Sequence, residues 1–341
     1  TQNYIFEVWK SVAESFGFEE IAGPTMEPID LYKKSGSEIP EQIYTLKDKS
    51  DNEFALRPEL TPTIARMIAQ KQGLRKPIKW FATPTCYRYE APQSGRLREF
   101  SQFNIDTLGT ECLTADAEII TILIEILKTF NLTNKDFYIR ISNRRILESF
   151  LEYITVENIK EVARLIDKYD KISEESFKEM IAEITSDKKA NEIINFLKIK
   201  DINQLPSGLN ENGKKGVTEL KELFSLLKDF QVLEYCKLDL SIMRGFDYYT
   251  STVFEAFDTD TRLTPFHISL YMALFRCWNL NFFHNPISIS RDEMMKMSKI
   301  GSVNTYVKCL KELNNWNYIR YEPSYNKHKG SQVYLYTFDN R

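Results

Sequence analysis

Residues Cys86 to Asp106 read CYRYEAPQSGRLREFSQFNID, and this stretch decides how the rest of the chain is understood. Residues 78–89 and 98–108 have the aromatic and β-branched content of two antiparallel strands, and Ala91 to Arg96 (APQSGR) supplies the Pro, Ser and Gly of a loop between them. Side chains two apart share a face of a strand, so Arg88 and Glu90 project together, as do Gln102, Asn104 and Asp106 on the second strand. One sheet face then carries a cation, carboxylates and amides. A solvated antiparallel sheet with mixed charges has the same local pattern, so the neighbouring sequence has to decide between them.

Towards the N-terminus, Tyr4 to Phe16 repeats apolar residues at helical spacing and stops at Gly17. FEEIAGPTMEP (Phe18 to Pro28) reads as an extended segment broken by Pro24, and Glu41 to Glu59 as a hairpin turning at the Asp48 to Asn52 polar cluster. Thr61, followed by Pro62, is placed to cap a helix running through Ile64 and Met67 towards Gln72. Beyond Asp106 the pattern predicts a helix over Thr114 to Thr129, a strand over Phe137 to Ile141, and a Lys/Glu-rich helical stretch over 144–232. Strands return at Leu233 to Asp239 and Tyr248 to Phe257, which makes the architecture α+β with a mostly antiparallel sheet.

Composition narrows the class of protein. With 341 residues, 43% hydrophobic and 27% charged, the chain has the balance of a globular protein of two or three domains and not of a disordered one. Five scattered cysteines lack any C-x-x-C pair or close histidine, so no metal site or disulfide framework is expected. No run approaches the length of a membrane span, and a basic region followed by an apolar run is missing at Thr1, so a cytoplasmic protein without membrane contact is expected. The net charge of −3 conceals an asymmetry: Thr264 to Phe338 holds nine Lys/Arg against four Asp/Glu, a balance of +5, which leaves −8 on the remainder. A basic module on an acidic body points to a polyanionic partner for that module.

The quoted segment resembles motif 2 of class II aminoacyl-tRNA synthetases in its histidine-specific form: an F/Y-R-x-E strand, a loop, and a second strand ending near Q-x-x-x-D/E. LDLSIMRGFDYYTSTVFEAF (Leu238 to Phe257) is similar to the signature of histidyl-tRNA synthetases and close relatives, and LRPELTPTIARM (Leu56 to Met67) resembles the turn that holds the amino acid's α-amino group. The resemblance implies a class II catalytic core over 1–143 and 233–258, with an antiparallel sheet flanked by helices, and a helical insertion domain over 144–232. It implies that Arg88 and Arg244 are the catalytic arginines on the α-phosphate of ATP, with Glu90 beside the adenine. An arginine fork suits that role because it holds phosphate and carboxylate oxygens together and offsets charge developing on phosphorus. Glu59, Leu60 (through its backbone) and Thr61 would hold the α-ammonium, although many members have glycine where Leu60 stands. Gln102, Asp106, Tyr248 and Tyr249 would recognise the imidazole, with Arg88 and Arg244 on the carboxylate side of the histidine. Histidine, ATP with Mg2+, and tRNA(His) are the implied ligands, and the segment around Pro24 resembles motif 1, which implies a homodimer.

After Phe257 a family member would continue into motif 3 and an anticodon-binding domain, whereas this chain passes to LTPFHISLYMALFRCWN. Helices over Phe266 to Trp278, from Ser290 (an S-x-x-E capping box with Glu293) and over Val303 to Trp316, then strands Tyr318 to Tyr321 and Gln332 to Phe338 around the basic turn Asn326 to Ser331, resemble a winged helix-turn-helix over 264–338. Such a module would place Ser302, Asn304, Thr305 and Lys308 against DNA. The expectation is a histidine–tRNA ligase that forms the aminoacyl-adenylate and charges tRNA(His), its activity impaired by the missing motif 3 and anticodon domain; the alternative is a histidine- or tRNA-sensing DNA-binding regulator derived from a synthetase.

Overall fold

The computed structural model describes residues 2–33, 42–71, 73–90, 97–242, 250–260, 262–324 and 330–336. Contacts divide the chain into two compact units: Thr1–Tyr89 with Glu99–Thr259, and Glu90–Arg98 with Asp260–Arg341.

In the first unit, helix α1 (Gln2–Ser15) ends where Gly17 takes φ +77°, a left-handed conformation that costs glycine nothing. Strands β1 (Glu19–Glu20) and β2 (Met26–Pro28) flank Pro24. Strands β3 (Thr45–Lys47) and β4 (Glu53–Leu56) form the expected hairpin, closed by Asp48, whose carboxylate accepts from the Ser50 and Asn52 amides. Helix α2 (Thr61–Gln70) corrects one expectation. Its N-cap is Leu60, already helical at φ −97°, ψ −24°, and Ile64 N–H bonds to the Leu60 carbonyl. Thr61 is therefore the first residue of the helix and its hydroxyl does not cap it.

The two long strands predicted around the loop are each divided. Strands β5 (Ile78–Ala82), β6 (Thr85–Tyr87), β7 (Glu99–Ser101) and β8 (Asn104–Leu108) pair antiparallel as β5 with β8 and β6 with β7. The break falls at Pro84, which has no N–H to give a ladder, though its carbonyl still accepts from Gln102 N–H at 3.0 Å. β1 adds to β5 in parallel, and β2 to β4 antiparallel.

Paired residues of an antiparallel ladder share a face. Ile78, Trp80 and Ala82 therefore lie on the face that carries Leu108, Asp106 and Asn104, and this face packs against Leu60 and Ile64 of the α2 region. The opposite face, with Phe81 and Ile105, packs against Ala13 of α1 and against helix α3 (Leu113–Thr129) through Ile122 and Ile126. Ile120 and Ile124 of α3 point into a larger core, which explains a helix apolar on two sides.

That larger core joins strand β9 (Phe137–Asn143) to helices α4 (Arg144–Tyr153), α5 (Ile159–Ile166), α6 (Glu174–Ile184), α7 (Asp187–Leu197) and α8 (Glu211–Asp229). Asn143, Asn158, Ser173, Ser186 and Asn210 cap them through side-chain oxygens, the local signal that makes 144–232 helical. Strand β10 (Cys236–Leu238) runs parallel to β9 and strand β11 (Thr252–Asp258) antiparallel to it. Leu233–Tyr235, expected as strand, is a 3-10 turn, and the strand expected from Tyr248 is described from Thr252.

In the second unit, helix α9 (Pro265–Leu280) precedes strand β12 (Ile287–Ile289), helices α10 (Arg291–Ser298) and α11 (Val303–Asn315), and strands β13 (Ile319–Glu322) and β14 (Ser331–Leu335). The sheet order is β12-β14-β13, all antiparallel, over a core that includes Leu274, Met294, Leu310 and Val333. Ser290 and Ser302 cap α10 and α11 by accepting from Glu293 N–H and Thr305 N–H. β12 was not expected. Its I-S-I alternation is a strand signal too short to separate from the helix that follows. Residues 326–329 of the basic turn lie outside the described residues.

Candidate active site

The site is built where Arg57–Thr61 meets strand β6 and the residue that follows it. Tyr87 N–H bonds to the Arg57 carbonyl at 2.9 Å, and Arg88 Nε–H to the Pro58 carbonyl at 3.0 Å. The Arg88 guanidinium also lies over the ring of Phe100, with Cζ 5.3 Å from its centre. Arg88 is thus half-buried and fixed on one edge and one face.

Arg57 is the residue that sequence reasoning missed. It is buried, and its guanidinium donates to the carbonyls of Thr85 (2.8 Å), Gly23 (2.7 Å) and Pro24 (3.2 Å). One cation so ties the Gly23-Pro24 bend, the α2 entry and β6 together. The signal was an arginine inside an otherwise apolar strand end, Phe54-Ala55-Leu56-Arg57. Glu59 is buried, and Cys86 registers it: burial pushes the Cys86 thiol up, Arg57 and Arg88 pull it down, and Glu59 raises it again. All three charges thus act on one buried thiol. Leu60 is fully buried and holds the apolar cluster with Trp80, while the Leu60 carbonyl opens α2.

Asp106 stands opposite Trp80 in the β5–β8 ladder, on the same sheet face as the Leu60 cluster. Burial pushes its carboxyl up to about 6, and Oδ2 has no hydrogen-bond partner among the described residues. Asn104, on that face too, also leaves Oδ1 buried and without a partner there. Two buried acceptors without a partner among the described residues, on one face, fit a ligand that donates. Gln102 lies between β7 and β8, not in a continuous strand, so the alternation expected from Gln102 through Asp106 holds only from Asn104 onward.

Glu90, expected on the face of Arg88, lies beyond the end of β6 and groups with the second unit, where its carbonyl accepts from Arg98 Nε–H at 3.2 Å. Thr61 is half-buried at the start of α2. Arg244, Tyr248 and Tyr249 lie outside the described residues, as does the loop 91–96. Among the described residues no group of three His, Cys, Asp or Glu is placed to hold a metal ion, and no helix is long and apolar enough to cross a membrane.

Residues 3–264 match the histidyl-tRNA synthetase family. The chain belongs to that family. The histidine–tRNA ligase of Leptospira biflexa is 40% identical over 268 residues, covering 76% of this chain and 60% of the relative. That of Opitutus terrae is 39% identical over 267 residues, 75% of this chain and 61% of the relative. The crystal structure of histidyl-tRNA synthetase from Nostoc sp. PCC 7120 superposes with a TM-score of 0.65 at 28% identity, over 74% of this chain and 60% of that one.

Histidyl-tRNA synthetases are class II enzymes and ligases, and the α+β fold with antiparallel sheets and flanking helices agrees with theirs. The chain spans about three fifths of the length of the curated synthetases it matches. The match takes in every residue named above for the site and stops at the edge of α9.

Proposed function

We propose that the first unit binds L-histidine and ATP in one pocket, joins them as histidyl-adenylate, and passes the histidyl group to tRNA(His). The observation that carries this is the coupling of Arg88 to the α2 entry through the Pro58 carbonyl, with Asp106 on the sheet face that Leu60 covers. In the reaction a histidine carboxylate oxygen attacks the α-phosphorus of ATP and pyrophosphate leaves. Arg88, held by its Nε edge, and Arg244 would grip the oxygens of attacking carboxylate and α-phosphate and offset the charge that builds there. Glu59 would accept from the α-ammonium, with Thr61 and the Leu60 backbone completing that corner. Asp106, beside Asn104, would accept from an imidazole N–H, with Gln102, Tyr248 and Tyr249 completing the ring's recognition. Mg2+ would travel with the nucleotide, since it needs few protein ligands beside phosphate oxygens and waters.

The test is histidine-dependent exchange of pyrophosphate into ATP by the full chain. Exchange that requires histidine and is lost with Arg88→Ala supports the reading; histidine-independent or absent exchange at every enzyme concentration overturns it.

For the second unit we propose a winged helix that binds duplex DNA. The order helix, strand, helix, helix, strand, strand, with α11 capped and exposed and the segment's charge of +5, supports this. Binding to a random duplex should weaken steeply with added salt as phosphate counterions are released, and salt-independent or absent binding would remove the idea. The cytoplasm is the compartment proposed, consistent with five free cysteines. The regulator alternative gains nothing from the relatives above, whose names are those of ligases.

A further inference from the structure

Resting on the DNA-binding reading of the second unit, we propose that α11 reads A·T base pairs directly, using the methyl groups of Val303 and Val307 against thymine and the amide of Asn304 against adenine. Helix α11 buries Tyr306, Cys309, Leu310 and Leu313 in the core of its unit. Its opposite face exposes Val303, Asn304, Val307, Lys308 and Lys311. Val303 and Val307 are 44% and 37% exposed, so two methyl-bearing side chains stand on the solvent face four residues apart.

The face is graded along the helix. Its N-terminal half is neutral apart from Lys308, with no acidic residue in the first turn, and Lys311 follows further along. In helix-turn-helix proteins the N-terminal residues of the recognition helix meet base edges, and phosphates are met further out. A face meant only for phosphates would carry cations at its start. This one carries two apolar side chains with an amide beside the first. In the major groove the thymine 5-methyl is the one apolar feature of a base edge, and adenine N6/N7 is the edge that an asparagine amide matches with two hydrogen bonds. Val303 and Val307 are four residues apart, about 6 Å along the helix axis, close to two base steps at roughly 3.4 Å each. Ser302, whose Oγ accepts from Thr305 N–H, is occupied as the cap and is assigned no base.

The experiment is selection of duplexes from a random pool by the full chain, followed by fluorescence anisotropy on the selected duplex made with thymine or with uracil. Selected sites should share an A·T-containing core. Replacing thymine by uracil, which deletes only the methyl, should weaken binding about fourfold per contacted methyl, the worth of about 0.8 kcal/mol of apolar burial. Val307→Ala should shrink the difference between thymine and uracil duplexes, and Asn304→Ala should relax the choice of adenine. Duplex binding that falls with salt yet ignores uracil substitution overturns this inference and leaves DNA binding intact. Failure to bind any duplex at low salt overturns both.

Discussion

Arg88 donates its Nε–H to the Pro58 carbonyl at 3.0 Å, so the residue that follows β6 is fastened to the turn that opens α2. The bond orients a guanidinium in advance of any ligand, and stacking on Phe100 limits its remaining rotation. Preorganisation of this kind is what makes a cation effective against charge that appears only in the transition state.

Arg88→Ala should lower histidine-dependent pyrophosphate exchange by roughly 100- to 1000-fold while costing little stability, because Arg88 is only half-buried. Arg88→Lys should recover only a small part, since an ammonium cannot hold the fork geometry. Parallel exchange and thermal-melting measurements check this; a variant with undiminished exchange would take Arg88 out of the site.

Arg57→Met removes the donor from three backbone carbonyls in a buried place. The expected loss is about 3 kcal/mol or more, seen as a lower urea midpoint, because desolvated acceptors are left unsatisfied. An unchanged midpoint would mean that water replaces the guanidinium without cost.

Asp106 gives a pH signature. Its folded pKa, pushed up by burial to about 6, lies above the ordinary carboxylate value of about 3.9. Below about pH 4 both folded and unfolded chains carry the proton and the residue is neutral to stability; between about pH 4 and 6 the unfolded chain ionises while the folded chain holds its proton, and roughly 2 to 3 kcal/mol of stability is lost, the loss being complete above about pH 6. Asp106→Asn should therefore stabilise the unliganded chain at about pH 7.5 and lose that advantage towards about pH 4. The same variant should bind histidine more weakly by calorimetry. Equal melting curves for the two proteins across that range would contradict the buried, unsatisfied placement.

Gly216→Ala sets two effects against each other. Alanine is the better helix former by about 1 kcal/mol, yet a Cβ at Gly216 in α8 would stand 2.8 Å from Asn143 Oδ1 and 2.9 Å from Ile146 Cγ1. Asn143 caps α4 through that oxygen and donates to Glu219 at 2.9 Å, so it has little room to yield. Net destabilisation of about 1 to 3 kcal/mol is expected. A stabilised variant would show that α4 and α8 can separate freely.

Light scattering should give twice the 40.0 kDa chain mass, since the segment around Pro24 resembles the dimer motif of class II synthetases. A mass of one chain would count against the assembly.

Short-range chemistry explains what could be read early. Gly17 after a periodic helix, Asp48 to Asn52 in a hairpin, and the Lys/Glu-rich helical spacing of 144–232 all act within a few residues, so their outcome is encoded locally. Motif 2 and the RGFDYYT segment identified the family for the same reason: each is a contiguous string whose spacing fixes the chemistry. Thr61 shows where local rules fail, because a good capping residue lost its place once Leu60 was drawn into the Trp80 cluster and took helical angles. The carbonyl partners of Arg57, the bond from Arg88 to Pro58, and the solitary burial of Asp106 belong to tertiary structure alone. Each depends on segments from 28 to 34 residues apart, or on what fails to reach a carboxylate, and no spacing along the chain records that.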